Sequence, residues 1–330
     1  MTEKKKKSVL YILLASVAVI WGLGFVFMKQ ALAFISPAML NVARFSAASL
    51  LMFALYFKRI IRLNKKQWLL GAGAGLVMAA GFGLQSYGTQ LTSAGNSALL
   101  TGLNVVMVPF FAWIFYKKRP PVKSFAAAVI AFSGISFLGF GGFSKINAGD
   151  LLCFLCAVAF AVHFIIIDKI SKKADTAALA FVQILTCAVV FAFIGLVFDF
   201  ESLKSSTFDK SIIFPMLSLC VLSTGYAYVV QTAAQKLIQP SKVSLILSCE
   251  SVLGAAFSVL MRLDQFTWYL GVSMAAVTLA LFISEGNFRR KAVLSEDLPA
   301  DTADGSVPEA SLSGEPQSPK SPPPDGETER

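Results

Sequence analysis

The sequence predicts an all-α polytopic membrane protein. It has ten transmembrane helices, arranged as two inverted five-helix repeats, followed by a disordered C-terminal tail. Three observations predict this. The chain is 56% hydrophobic with 29 phenylalanines, and only 15% of its residues are charged. A soluble domain carries about 25% charge and has no interior able to hide so much apolar side chain. Ten apolar stretches follow one another along the chain, and the basic residues between them alternate in density from loop to loop.

The basic lead-in MTEKKKK, within residues 1–8, runs into an apolar stretch over 9–28. No small-x-small cleavage site ahead of a soluble domain follows it, so it reads as an uncleaved first span. Further stretches cover 37–57, 68–87, 96–116, 122–141, 149–167, 176–198, 211–235, 241–260 and 268–285. About twenty helical residues cross the roughly 30 Å hydrocarbon layer of a bilayer. The 211–235 stretch exceeds that and is expected to tilt or to end near Ala233. Trp68 and Trp268 open their stretches, where an amphipathic ring sits at the membrane interface.

With both termini in the cytoplasm, the inner segments hold 21 Lys/Arg and the outer ones five. That bias sets the sense of insertion and supports an even number of helices. A plasma-membrane location fits this orientation. Residues 1–291 carry a net charge of +17 and residues 292–330 a net of −7. The basic excess therefore orients the membrane part. Nothing presents it as an aromatic-interleaved patch on a soluble domain, so no nucleic-acid partner is expected. Residues 286–330 form a cytoplasmic tail. From about 292 the tail is rich in Pro, Ser and acid, cannot offset chain entropy by burial, and is expected to be disordered.

Cys153 and Cys156 are spaced C-x-x-C inside an apolar run without a second pair, which favours packing over metal or redox chemistry. No metal site and no cofactor are expected. No phosphate-binding loop occurs, which argues against a self-contained ATP-driven pump.

The two halves, 9–141 and 149–285, can be laid over one another. An offset of 146 residues brings Gln85 onto Gln231, Leu91 onto Leu237, Leu99 onto Leu245 and Asn104 onto Glu250. An offset of 139 brings AVIWGLGF, ending at Phe25, onto AVAFAVHF, ending at Phe164, and Arg44 onto Gln183. Five helices is an odd number, so the second copy lies upside down relative to the first. Inverted repeats offer a route to alternating access, because exchanging the shapes of the halves exposes their interface to the other side.

These residues carry a resemblance. WGLGF at 21–25, SAGNSALLTGLNVVMVPFFAWIFYKKRP at 93–120, GDLLCFLCAVAFAVHF at 149–164 and QPSKVSLILSCESVLGAAFSVLMRLDQF at 239–266 resemble EamA-type transporters of the drug/metabolite transporter superfamily. The resemblance covers about 9 to 285. It implies a secondary transporter, often an exporter of amino acids or other small metabolites. Family members usually carry an acid late in helices 4 and 9. Asp264 holds the second position here, whereas Lys118 holds the first. The common Glu-Pro of helix 9 appears as Glu250-Ser251.

Glu250 stands near the middle of the 241–260 stretch, where a carboxylate costs several kcal/mol unless it is paired, protonated or facing water. It could carry a proton across, hold the amino group of a substrate, or pair with another buried polar group. Arg44, about 10 Å into its helix, must snorkel, pair with Glu250 or another group, or meet an anionic part of a substrate. His163, the only histidine, is either a packed hydrogen-bonding residue or a proton relay. Asn104, Gln85 and Gln231 are neutral polar groups suited to helix–helix bonds or to cavity lining. Trp21, Tyr87, Tyr226 and Tyr228 could supply aromatic walls.

The reading is a secondary active transporter, an exporter of a small polar metabolite or amino acid working by alternating access, with proton coupling open. Its partners are a small-molecule substrate, the lipid bilayer and the coupling proton, and it is read as a monomer or a homodimer. The competing readings are a membrane-embedded enzyme, for which no nucleophile, base or metal spacing is present, and a non-transporting scaffold or sensor.

Overall fold

The computed structural model describes residues 3–117, 119–140, 147–201, 209–238 and 240–285. Lys118 and the acidic tail, with its expected disorder, lie outside them. The described residues form α1 (Glu3–Ala31), α2 (Pro37–Ile60), α3 (Lys65–Leu91), α4 (Ala94–Tyr116) and α5 (Val122–Phe140), then α6 (Ala148–Ile170), α7 (Thr176–Phe198), α8 (Lys210–Leu237), α9 (Pro240–Leu260) and α10 (Trp268–Glu285). Among these residues, seven stretches, in α1–α4 and α6–α8, are long and apolar enough to cross a membrane. The apolar parts of α5, α9 and α10 are shorter. They are Val122–Phe137, Leu245–Leu260 and Trp268–Ser284, which lie within the expected stretches 122–141, 241–260 and 268–285. Many large apolar side chains face outward, among them Leu50, Leu69, Val122, Phe198 and Phe282. That is the surface a hydrocarbon solvent requires.

Local chemistry sets the helix starts. Ser36 caps α2 through the Met39 amide, with Pro37 at the first helical position. Capping boxes open α3 (Asn64 with Gln67) and α6 (Asn147 with Asp150), and Asp175 caps α7. Lys117, closing α4, and Arg262, just after α9, both adopt left-handed backbone at φ 58° and 60°.

Two helices depart from regularity. α4, expected as one rod, breaks at Gly102–Leu103 into Ala94–Thr101 and Asn104–Tyr116. α8 contains a π-helical segment, Ser218–Tyr226, that widens the helix where Ser223 and Thr224 point inward.

The packing follows one rule. α1 packs on α8 and α9, as α6 packs on α3 and α4; α2 packs on α8, as α7 packs on α3; and α2·α7, α4·α9 and α5·α10 pair with each other. Replacing each helix by the one five places on leaves this list unchanged. The self-paired helices run antiparallel. Phe45 meets Phe191 while Phe53 meets Phe181, and Arg59 pairs with Asp175 at 3.6 Å. A Cβ built on Gly95 would meet Ser258 Oγ at 2.9 Å, and one on Gly254 would meet Ala98 Cβ at 2.7 Å. Ser273 Oγ donates to Gly134 O at 2.6 Å, and Phe137 meets Trp268.

Candidate functional site

Between these paired helices lies a cavity of about 520 Å³, counting its open mouth. α1 supplies Trp21, Gly24 and Phe25; α2 supplies Arg44; α3 supplies Phe82 and Gln85; α4 supplies Asn104. From the second half come Phe160, His163 and Phe164 of α6, Ser223, Tyr228 and Gln231 of α8, and Glu250 of α9. The repeat offsets relate twelve lining residues as six pairs. Offset 139 gives Trp21/Phe160, Gly24/His163 and Phe25/Phe164, and offset 146 gives Phe82/Tyr228, Gln85/Gln231 and Asn104/Glu250.

Glu250 reaches the cavity because α1 approaches α9 closely beside it. A Cβ on Gly22 would lie 2.9 Å from Leu253 Cβ and 3.3 Å from Glu250 O, so any side chain there would push the helices apart. Only 8% of the Glu250 surface is exposed, and its carboxylate forms no hydrogen bond or ion pair among the described residues. The next residue, where the resemblance leads one to expect proline, is Ser251. It is fully buried, bonds Ser248 O at 2.8 Å and packs into the gap left by Gly102 at the α4 break. Beyond that break Asn104 opens the second half of α4, and its Oδ1 is buried without a partner among the described residues, as is Oε1 of Gln231. Buried polar atoms are almost always bonded, so two orphans in one cavity mark groups available to a ligand.

Arg44 is 3% exposed and does not pair with Glu250. Its Nε donates to Thr224 Oγ1 at 2.5 Å and its Nη2 to Ser223 Oγ at 3.0 Å. Thr224 gives its own proton to Leu219 O, five residues back along the π segment, so its lone pairs are free to accept from the guanidinium. The face of the Phe82 ring lies 4.5 Å from Arg44 Cζ. Trp21 is fixed to the same segment, since its Nε1 donates to Ser223 O at 2.8 Å and its ring meets Tyr228.

His163 is buried and bonded to Gln183, the residue that the offset places opposite Arg44. Gln183 Nε2 donates to Leu179 O, so Gln183 Oε1 accepts from His163 Nε2 at 2.8 Å. The ring thus lines the cavity with one nitrogen already committed. Of the ten residues singled out from sequence, eight line this cavity. Tyr87 lies outside the lining, and Tyr226 instead shares a 2.9 Å hydrogen bond with Ser16 on α1.

Sequence reasoning passed over Ser223 and Phe82. The offset of 146 that pairs Gln85 with Gln231 also carries Tyr228 onto Phe82 and would have found it. Cys153 donates to Ser97 Oγ at 3.4 Å and Cys156 lies 3.9 Å from Thr101 Oγ1, so the C-x-x-C pair packs α6 against α4.

Outside the cavity lining, a clamp ties α1 to the α3–α4 turn. Lys29 Nζ donates to the carbonyls of Thr89 (2.8 Å), Gln90 (3.2 Å) and Thr92 (2.6 Å). Thr92 Oγ1 donates to Asp150, and Asp264 Oδ2 accepts from the Gly95 amide at 2.7 Å. Offset 139 carries Lys29 onto Asp168, a group with no ammonium to offer carbonyls.

The sequence and fold have known counterparts. A model of the EamA-like transporter family matches residues 8–140 and again 147–285. An uncharacterized transporter of Archaeoglobus fulgidus is 30% identical over 256 residues, covering 77% of this chain and 78% of the relative. The uncharacterized transporter YoaV of Bacillus subtilis is 24% identical over 288 residues, covering 84% and 97%. A solved crystal structure superposes with a TM-score of 0.66 at 16% identity, covering 86% of this chain and 99% of its own, which is a likeness of fold.

Proposed function

Since this chain belongs to the EamA-like transporter family and is an integral membrane protein, we propose that it is a secondary active transporter that moves a small polar metabolite outward by alternating access. The moving parts are two inverted five-helix repeats, 9–141 and 149–285, with all ten helices crossing the bilayer and both termini on the cytoplasmic side of the plasma membrane. The substrate sits in the cavity between them, and Glu250 takes up the coupling proton or the substrate's amino group.

One observation carries the reading. Twelve cavity residues fall into six pairs related by the repeat offsets, so the ligand space lies on the seam that an exchange of the two halves would move. The double match of one family model and the packing list unchanged by a five-helix shift support the same duplication.

The test is a thermal-shift screen of the purified protein against small metabolites, followed by counterflow of each hit in proteoliposomes. Counterflow separates transport from a membrane enzyme, which would convert the hit, and from a scaffold, which would ignore it. Glu250→Gln should keep counterflow of a neutral hit but lose accumulation driven by a pH gradient. Unchanged gradient-driven uptake in that variant would remove Glu250 as the carrier of the coupling proton.

A further inference from the structure

We propose that the ligand of this cavity carries a carboxylate, held end-on by the Nη1/Nη2 edge of Arg44. The inference rests on the transport reading and names the substrate class that reading leaves open.

A guanidinium offers two forked edges, one from Nε and Nη2 and one from Nη1 and Nη2. The first edge is filled by the hydroxyls of Thr224 and Ser223. Nη1 has no partner among the described residues. The Phe82 ring under Cζ fixes the plane of the group, so the second edge has one direction. Hydroxyls orient a cation but do not neutralise it, and arginine keeps its charge in proteins. A buried charge without a counter-ion is costly, and among the described residues no acid is bonded to Arg44. A carboxylate has the planar, two-acceptor shape that answers a free guanidinium fork.

The charge is also one-sided. The position related to Arg44 is Gln183, a neutral group occupied by His163. A bound anion therefore has one end of the cavity to choose. The orphan oxygens of Asn104 and Gln231 call for donors elsewhere on the same ligand. Either an amino acid or a simple organic acid supplies the carboxylate, and the two differ in whether an ammonium accompanies it.

The experiment is isothermal titration of the purified full chain with four probes that suit the aromatic walls: 3-phenylpropanoate, L-phenylalanine, 3-phenylpropanamide and 2-phenylethylamine. The two acids should bind at least about tenfold more tightly than the amide and the amine, the difference expected for a charge-assisted bidentate contact. Tighter binding of L-phenylalanine than of 3-phenylpropanoate identifies an amino acid, and the reverse order a simple acid. Arg44→Lys keeps the charge but not the fork and should lose the acid preference. The pair Ser223→Ala, Thr224→Val keeps the guanidinium but not its orientation and should do the same in a chain that still melts cooperatively. The proposal is overturned if the amide or amine binds as well as the acids, if neither acid binds, or if the acid preference survives in both variants. Counterflow of the amine or amide with the acids inert would overturn it while leaving the transport reading intact.

Discussion

Replacing Lys29 with methionine should loosen the α3–α4 turn without unfolding the protein. The ammonium makes three hydrogen bonds to carbonyls, at 2.6, 2.8 and 3.2 Å, and these join α1 to the end of α3. Charged hydrogen bonds contribute about 1.5–3 kcal/mol each when buried. Lys29 is only half-buried, so water competes, and about 2 kcal/mol for the set is a reasonable net figure after that discount. That corresponds to about a 30-fold rise in the fraction of molecules with this turn detached. The thiol of Cys153 reports the opening, because it is fully buried beneath the turn against Ser97 and Gly88. In a variant whose other four cysteines are replaced by serine or alanine, its rate of modification by a methanethiosulfonate follows the open fraction. An unchanged rate in a well-folded Lys29→Met protein would show that the clamp does not hold the turn in place. Lys29→Arg should stay near the parent, since it can still donate to carbonyls.

Two further predictions concern stability. Gly149→Ala places a Cβ 2.7 Å from Gly88 O and 2.8 Å from Thr92 N. It should cost about 1–3 kcal/mol as overpacking and lower the melting temperature in detergent, whereas Gly73→Ala, with nothing within 4 Å, should not. Gln183→Leu removes the acceptor of His163 Nε2 and leaves a buried donor unpaired, which should cost about 1–3 kcal/mol on denaturant unfolding. An unchanged midpoint would mean the ring finds another acceptor.

The helix order was legible because hydropathy and alternating basic loops are coarse signals that survive in any one sequence. Most of the cavity was legible for another reason. In an apolar helix each Asn, Gln, Glu or Arg needs a special explanation, and the offsets of 139 and 146 brought several of them into register. What stayed hidden was geometry without a compositional mark. The break after Thr101 and the π segment of α8 are changes of backbone hydrogen bonding inside stretches that read as uniform helix. The partner of Arg44 followed from that segment. Depth alone suggested Glu250, but the widened turn brings Ser223 and Thr224 to the guanidinium instead. Lys29 read as an ordinary loop charge, because nothing in its neighbours reveals the three carbonyls it gathers from residues sixty positions away. Tyr226 and Tyr228 are two residues apart, a separation that turns them to different faces of the helix, and one of the two lines the cavity.

The symmetry of the lining also limits which residues can make the transporter directional. In the inverted repeat proposed above, the two end states would be exchanged by the pseudo-twofold axis. Pairs of like chemistry, Trp21/Phe160, Phe25/Phe164 and Gln85/Gln231, therefore give a ligand nearly the same surroundings in both. Equal affinity for two states shifts neither. Any bias must come from the unlike pairs, Gly24/His163, Phe82/Tyr228 and Asn104/Glu250, and from Arg44 against Gln183. In three of these four the more polar or titratable member belongs to the second half, and Arg44 alone belongs to the first. Exchanging one unlike pair, Asn104→Glu with Glu250→Asn, keeps the cavity's composition and moves the carboxylate across the axis. The double variant should retain ligand binding on titration, yet alter the ratio of substrate affinities measured from the two faces of oriented vesicles. An identical ratio in parent and exchanged proteins would show that directionality is set outside the cavity, with the Lys29 clamp, which has no equivalent at Asp168, as the place to look.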